Sequence, residues 1–120
     1  MTRKWALTKK AQYMVVYESG KAWGDQIIQV RALPNGIGLH RCGFSVTKRV
    51  GTAVVRNRVR RLLKEIVRLT PLKVGWDIVF IARAGSATAS YHELNQSVDK
   101  LLAQAHLLRD KDERVGTRVN

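Results

Sequence analysis

The chain has 120 residues, 45% of them apolar, with 22 Lys and Arg against nine Asp and Glu, a formal net charge of +13. That length accommodates one domain with a real core, and the charge suits a partner that is a polyanion, nucleic acid before an anionic membrane. A single cysteine, Cys42, excludes an intramolecular disulfide and a multi-cysteine zinc site, and the longest apolar run, Ile78–Ala82, is far too short to cross a membrane. Met1–Lys10 begins basic with no apolar stretch behind it, so no secretory signal is expected. The spacing predicts a first helix from a Thr8 N-cap to a closing Gly20, with Tyr13 and Tyr17 on one face and Val16 facing the core. A strand is predicted over Gln26–Leu33, ended by Pro34-Asn35-Gly36, and a second over about Leu39–Thr47, with Phe44 and Val46 on one face and Ser45 on the other. From Val54 to about Leu69 the period changes: Val59, Leu62, Leu63, Ile66 and Leu69 form the apolar stripe of an amphipathic helix that Pro71 helps to stop.

Trp76–Ala82 reads as a strand buried on both faces, with Trp76 itself buried. Ser90-Tyr91-His92-Glu93 has the form of a capping box, followed by Leu94, Val98, Leu101, Leu102, Ala105 and Leu108 at helical spacing. Trp5 and Trp23 are read as packing residues. The succession is helix, strand, strand, helix, strand, helix: a single-domain α/β sandwich with one mostly antiparallel mixed sheet. Residues 1–120 make one domain, ordered over about 7–108, with 109–120 a loose tail.

The most informative stretch is the second helix. Lys48 to Arg68 holds eight basic residues, Lys48, Arg49, Arg56, Arg58, Arg60, Arg61, Lys64 and Arg68, and one acid, Glu65, which could pair with Arg61. Opposite the apolar stripe gather Asn57, Arg60, Arg61, Lys64 and Arg68. A solvated helix face mixes both signs, because like charges one turn apart destabilise it. Arginine suits phosphates, since its planar guanidinium donates two parallel hydrogen bonds to an oxyanion. Tyr13, Tyr17 and Phe44 are candidate stacking rings for unpaired bases, and packing in the core is the alternative role for each. No glycine-rich phosphate loop, nucleophile elbow, histidine cluster or paired-carboxylate metal site is present, so a self-sufficient enzyme is not expected.

Gly43-Phe44-Ser45-Val46-Thr47-Lys48-Arg49-Val50-Gly51-Thr52-Ala53-Val54-Val55-Arg56-Asn57-Arg58-Val59-Arg60-Arg61 resembles the signature of the bacterial ribonuclease P protein subunit. That signature is a strand ending in two basic residues and a glycine, then an Arg-Asn-Arg helix. The flanks agree, so the resemblance spans about residues 7–108. It implies a small cytoplasmic protein that binds a catalytic RNA subunit and precursor tRNA, in an assembly that removes the 5′ leader. The RNA performs the Mg²⁺-dependent cleavage, and the chain itself carries no cofactor or catalytic residue. It also implies a left-handed β-α-β crossover at the Arg-Asn-Arg helix, against the usual right-handed preference.

Carried over by residue, the resemblance has Arg56, Asn57, Arg60 and Lys64 meet the leader, with Tyr13, Tyr17 and Ser45 in the leader cleft, to which the stacking chemistry of the rings adds Phe44. Arg58, Arg61, Lys48 and Arg49 serve the RNA subunit or the structure, and Arg68 extends the RNA-binding face. Tyr stands at both first-helix positions where the family often has Phe, and Arg60 and Lys64 exchange the usual Lys and Arg. Met14 and Val15 are more apolar than an exposed helix face requires. The competing reading is a general structured-RNA-binding or ribosomal protein. A DNA-reading helix-turn-helix lacks its preceding helix and tight turn, and neither DNA nor a membrane is an expected partner.

Overall fold

The computed structural model describes residues 6–109. Helix α1 (Lys10–Ser19) is followed by strands β1 (Lys21–Gly24), β2 (Ile28–Pro34) and β3 (Arg41–Ser45), helix α2 (Ala53–Arg68), strand β4 (Trp76–Ala82), a 3₁₀ turn (Ala84–Thr88) and helix α3 (Tyr91–Gln104). The sheet order is β1-β2-β4-β3. β2 pairs antiparallel with β1 and β4, whereas β3 runs parallel to β4, with α2 in the crossover between them. The predicted succession is met, and the sheet gains one short edge strand, β1. Its four residues carry no apolar alternation, so they become a strand only through pairing with β2, from Lys21 opposite Ala32 to Gly24 opposite Gln29.

Alternation along the strands assigns the two faces. Ile28, Val30 and Ala32 of β2, Cys42 of β3, and Ile78, Phe80 and Ala82 of β4 join Val59, Leu63 and Ile66 of α2 and Leu94, Val98 and Leu101 of α3 in the main core. The other face carries a smaller cluster, where Leu7 and Val16 of the α1 segment pack on Val79. β4 is therefore covered on both sides, as its unbroken apolar sequence requires.

Local chemistry moves several boundaries. Lys9, not Thr8, is the N-cap of α1, because Gln12 Oε1 reaches back to accept the backbone N–H groups of Thr8 and Lys9 at 2.9 and 3.0 Å. β2 starts at Ile28 because Asp25 Oδ1 accepts the N–H groups of Ile27 and Ile28 at 2.8 and 2.9 Å and holds the preceding residues in a turn. β3 is shorter than expected, since Asn35 and Asp77 tie down the approach and a hydrogen-bonded turn from Thr47 to Val50 ends it. The α2 helix is capped by Thr52, and the Ser90–Glu93 capping box opens α3 as expected. Leu108 lies beyond α3 and bridges to Leu72 instead, while Trp76 is half-buried at the start of its strand. Trp5 and residues 110–120 of the expected tail lie outside the described residues; Arg109 donates its N–H to the Pro71 carbonyl at 2.9 Å.

Candidate nucleic-acid interface

The α2 helix buries Val59, Leu63, Ile66 and Val67 and turns its cations outward. Asn57, Arg60, Arg61, Lys64, Glu65 and Arg68 line one open depression. Within it Arg60 donates to Asn57 Oδ1 at 3.0 Å, which orders the first turn of the basic face. Glu65 pairs with Arg68 at 2.8 Å rather than with Arg61, so the single acid neutralises the far end of the row and leaves Arg60, Arg61 and Lys64 as its positive centre.

Two of the predicted arginines are drawn away. Arg56 Nε donates to the Gly51 carbonyl at 3.2 Å, and Arg58 donates to the Ala89 carbonyl at 2.9 Å, fastening α2 to the segment after the 3₁₀ turn. Lys48 and Arg49 are exposed on the turn that ends β3, held by Val50, which is buried beneath them.

The opposite sheet face carries the tyrosines. Their rings meet edge to face at 6.4 Å, and the Arg31 guanidinium lies 5.9 Å from the Tyr17 centroid while donating to the Tyr17 carbonyl at 2.8 Å. Tyr13 lies over Gly43, its hydroxyl accepting the Phe44 N–H at 3.2 Å. Ser45, paired with Ile81, shares this face. Arg31 is the member of this group that sequence reading missed. The signal was available: it alternates with Ile28, Val30 and Ala32, which face the main core.

Phe44 does not join the tyrosines. Its ring stacks on Phe80 at 5.6 Å and 18°, on the face covered by α2 and α3. The strand alternation that puts Ser45 beside Tyr13 puts Phe44 behind the sheet. α2, which carries the basic depression, and α1, which carries the tyrosine pair, pack in separate clusters on opposite faces of the sheet. Cys42 is buried, and burial with the nearby Asp77 charge pushes its thiol up to about 12, which removes it as a nucleophile.

A family model described as Ribonuclease P matches residues 1–106. The chain belongs to the ribonuclease P protein family. It is 43% identical over 114 residues to the ribonuclease P protein component of Dehalococcoides mccartyi, covering 95% of each chain. The ribonuclease P protein component of Caldanaerobacter subterraneus subsp. tengcongensis is 42% identical over 108 residues, covering 88% of this chain and 93% of the relative. Among solved structures, the Staphylococcus aureus RNase P protein superposes with a TM-score of 0.79 at 26% identity, over 88% of this chain and 98% of that one. The Thermotoga maritima RNase P protein shares the fold, with a TM-score of 0.73 at 24% identity over 82% and 96%. As a ribonuclease P protein the chain is a subunit of an endoribonuclease, and its partner is the ribonuclease P RNA. Among the described residues no helix is long and apolar enough to cross a membrane.

Proposed function

We propose that the chain grips the catalytic RNA with the basic face of α2 and holds the single-stranded 5′ leader of precursor tRNA on the tyrosine face, in the cytoplasm. The observation that carries the leader assignment is the Arg31 guanidinium over Tyr17, beside Tyr13. Unpaired bases stack on aromatic faces, and an adjacent arginine adds phosphate and cation–π contacts. The α2 cations are supported as the catalytic-RNA contact because they project from the other side of the sheet, where a second RNA segment can lie without displacing the leader.

The cleavage itself is assigned to the RNA. Bound Mg²⁺ would supply an activated water and charge neutralisation at the phosphate. The chain's own contribution is to position RNA. Arg60, Arg61 and Lys64 neutralise backbone phosphates, and Tyr17 with Arg31 holds the strand entering the site.

The test compares holoenzyme binding of precursor and mature tRNA. Tyr17→Ala is expected to weaken precursor binding about five-fold or more, the scale of one base stack, and to leave mature tRNA unchanged. Equal losses for both ligands would remove the leader from this face.

A further inference from the structure

A groove of ≈ 880 Å³ runs between the outer edge of β3 and the C-terminal half of α2, on the face away from the tyrosines. Its apolar floor includes Phe44 and Leu72, and among the described residues Lys64, Arg68 and Arg109 bring charge to it. Among the described residues that line it, none is acidic.

Three observations define what fits. The first is the ring: Phe44 is half-buried, and its stacking on the fully buried Phe80 holds it in one orientation while its remaining surface lines the groove. The second is continuity, since Lys64 and Arg68 line both this groove and the basic depression on α2. The third is that β3 is already occupied along its edge. Leu7 N–H donates to the Cys42 carbonyl at 2.9 Å and the Tyr13 hydroxyl takes the Phe44 N–H. An extended peptide therefore finds no free strand edge there to pair with. A flat ring that stacks on Phe44 and carries its negative charge on a flexible tether satisfies all three.

We infer that this groove receives one unpaired nucleotide of the RNA bound along α2, its base against Phe44 and its phosphates on Lys64 and Arg68. The inference rests on the reading of α2 as an RNA-binding face. The nucleotide belongs to the catalytic RNA, which the proposed function places along α2, and a second binding experiment separates it from the precursor.

Phe44 and Phe80 are the only two phenylalanines in the chain, so labelling with fluorophenylalanine places one ¹⁹F reporter in the groove and one in the core. Titration of the full-length labelled chain with a short oligoadenylate is expected to shift the Phe44 resonance saturably and the Phe80 resonance less. Phe44→Leu assigns the signals and keeps an apolar side chain on Phe80. The variant is expected to lose about five-fold or more in affinity for the catalytic RNA, while the holoenzyme assembled from it at saturating chain binds precursor as before. A loss confined to precursor binding would overturn the assignment to the catalytic RNA. A Phe44 resonance unmoved at saturating oligoadenylate, or a folded Phe44→Leu chain with full affinity for the catalytic RNA, overturns the inference. If Phe44→Leu does not fold, the wild-type ¹⁹F titration decides alone. A chain that binds the catalytic RNA normally with an unmoved Phe44 loses only the groove, whereas a chain that does not bind that RNA loses the parent reading.

Discussion

Tyr13 occupies the space that a side chain at Gly43 would need: a Cβ on Gly43 would fall 2.6 Å from Tyr13 Cζ. The same tyrosine accepts the Phe44 N–H at 3.2 Å and so covers an outward-facing donor of the edge strand β3. Glycine within a strand ordinarily weakens it; here its bareness seats a ring. Gly43→Ala is expected to destabilise the fold by about 1–3 kcal/mol through this overlap. In a Tyr13→Ala background that cost should shrink, giving a coupling of about 0.5 kcal/mol or more in a double-mutant cycle of denaturant unfolding. Additive losses would show that the ring is not the reason for the glycine.

Asp77 anchors the other end of the tyrosine face. Its carboxylate, buried at the start of β4, accepts from Arg41 Nε and Nη2 at 2.8 Å each and from Asn35 Nδ2 at 2.9 Å. Removing it strands a partly buried guanidinium and releases the turn before β3. Asp77→Ala is expected to cost about 3 kcal/mol in urea unfolding, with Arg41→Ala costing less because its side chain is the more exposed. A loss under about 1 kcal/mol for Asp77→Ala would contradict the anchor.

The α2 cations should show themselves in salt dependence. Removing one cation that neutralises a phosphate lowers the slope of log affinity against log salt by roughly 0.7–0.9. Arg61→Ala and Lys64→Ala are expected to reduce that slope for the catalytic RNA by about this amount each. Arg58→Ala, whose guanidinium is committed to Ala89, should leave the slope unchanged and lower thermal stability instead. The measurement is filter binding across a salt series, and an equal slope change for Arg58→Ala would place it among the residues that touch RNA.

Asp25 has a pH signature. Burial alone would raise its carboxyl, but donation from the Ile28 and Ile27 N–H groups, with Ser97 and Lys100, outweighs burial and leaves it below its ordinary value. A depressed carboxyl stabilises the fold above its unfolded value, and that contribution disappears as pH falls through the folded one. Asp25→Asn should therefore be less stable than the natural chain near neutral pH, with the difference closing as pH falls below the ordinary carboxylate range. A difference that does not change with pH would mean that the turn holds by shape rather than by charge.

What the sequence made legible was what depends on local period. The stripe Val59–Leu63–Ile66 and its cationic reverse are helical arithmetic, and the Ser90–Glu93 box reads from four residues. Less legible were features that depend on which strand lies beside which. Strand β1 exists only because β2 pairs with it. Placing Phe44 with Ser45 in one cleft followed ring chemistry against the strand alternation, and the sheet obeyed the alternation. Glu65 had a cation in reach both at Arg61 and at Arg68; the bidentate geometry to Arg68, at 3.3 and 2.8 Å, decided it. Arg31 shows the opposite lesson, a side chain beside Tyr17 that strict alternation along β2 places on that face and motif matching passes over.

The central claim is that this protein acts by organising RNA rather than by cutting it. Reconstitution tests it most directly: full-length chain is added to a bacterial ribonuclease P RNA at low Mg²⁺, and leader release from precursor tRNA is followed with and without that RNA. Cleavage should rise well above the RNA alone and vanish when the RNA is left out. Cleavage by the chain alone, or no gain when the two are combined, would contradict the account.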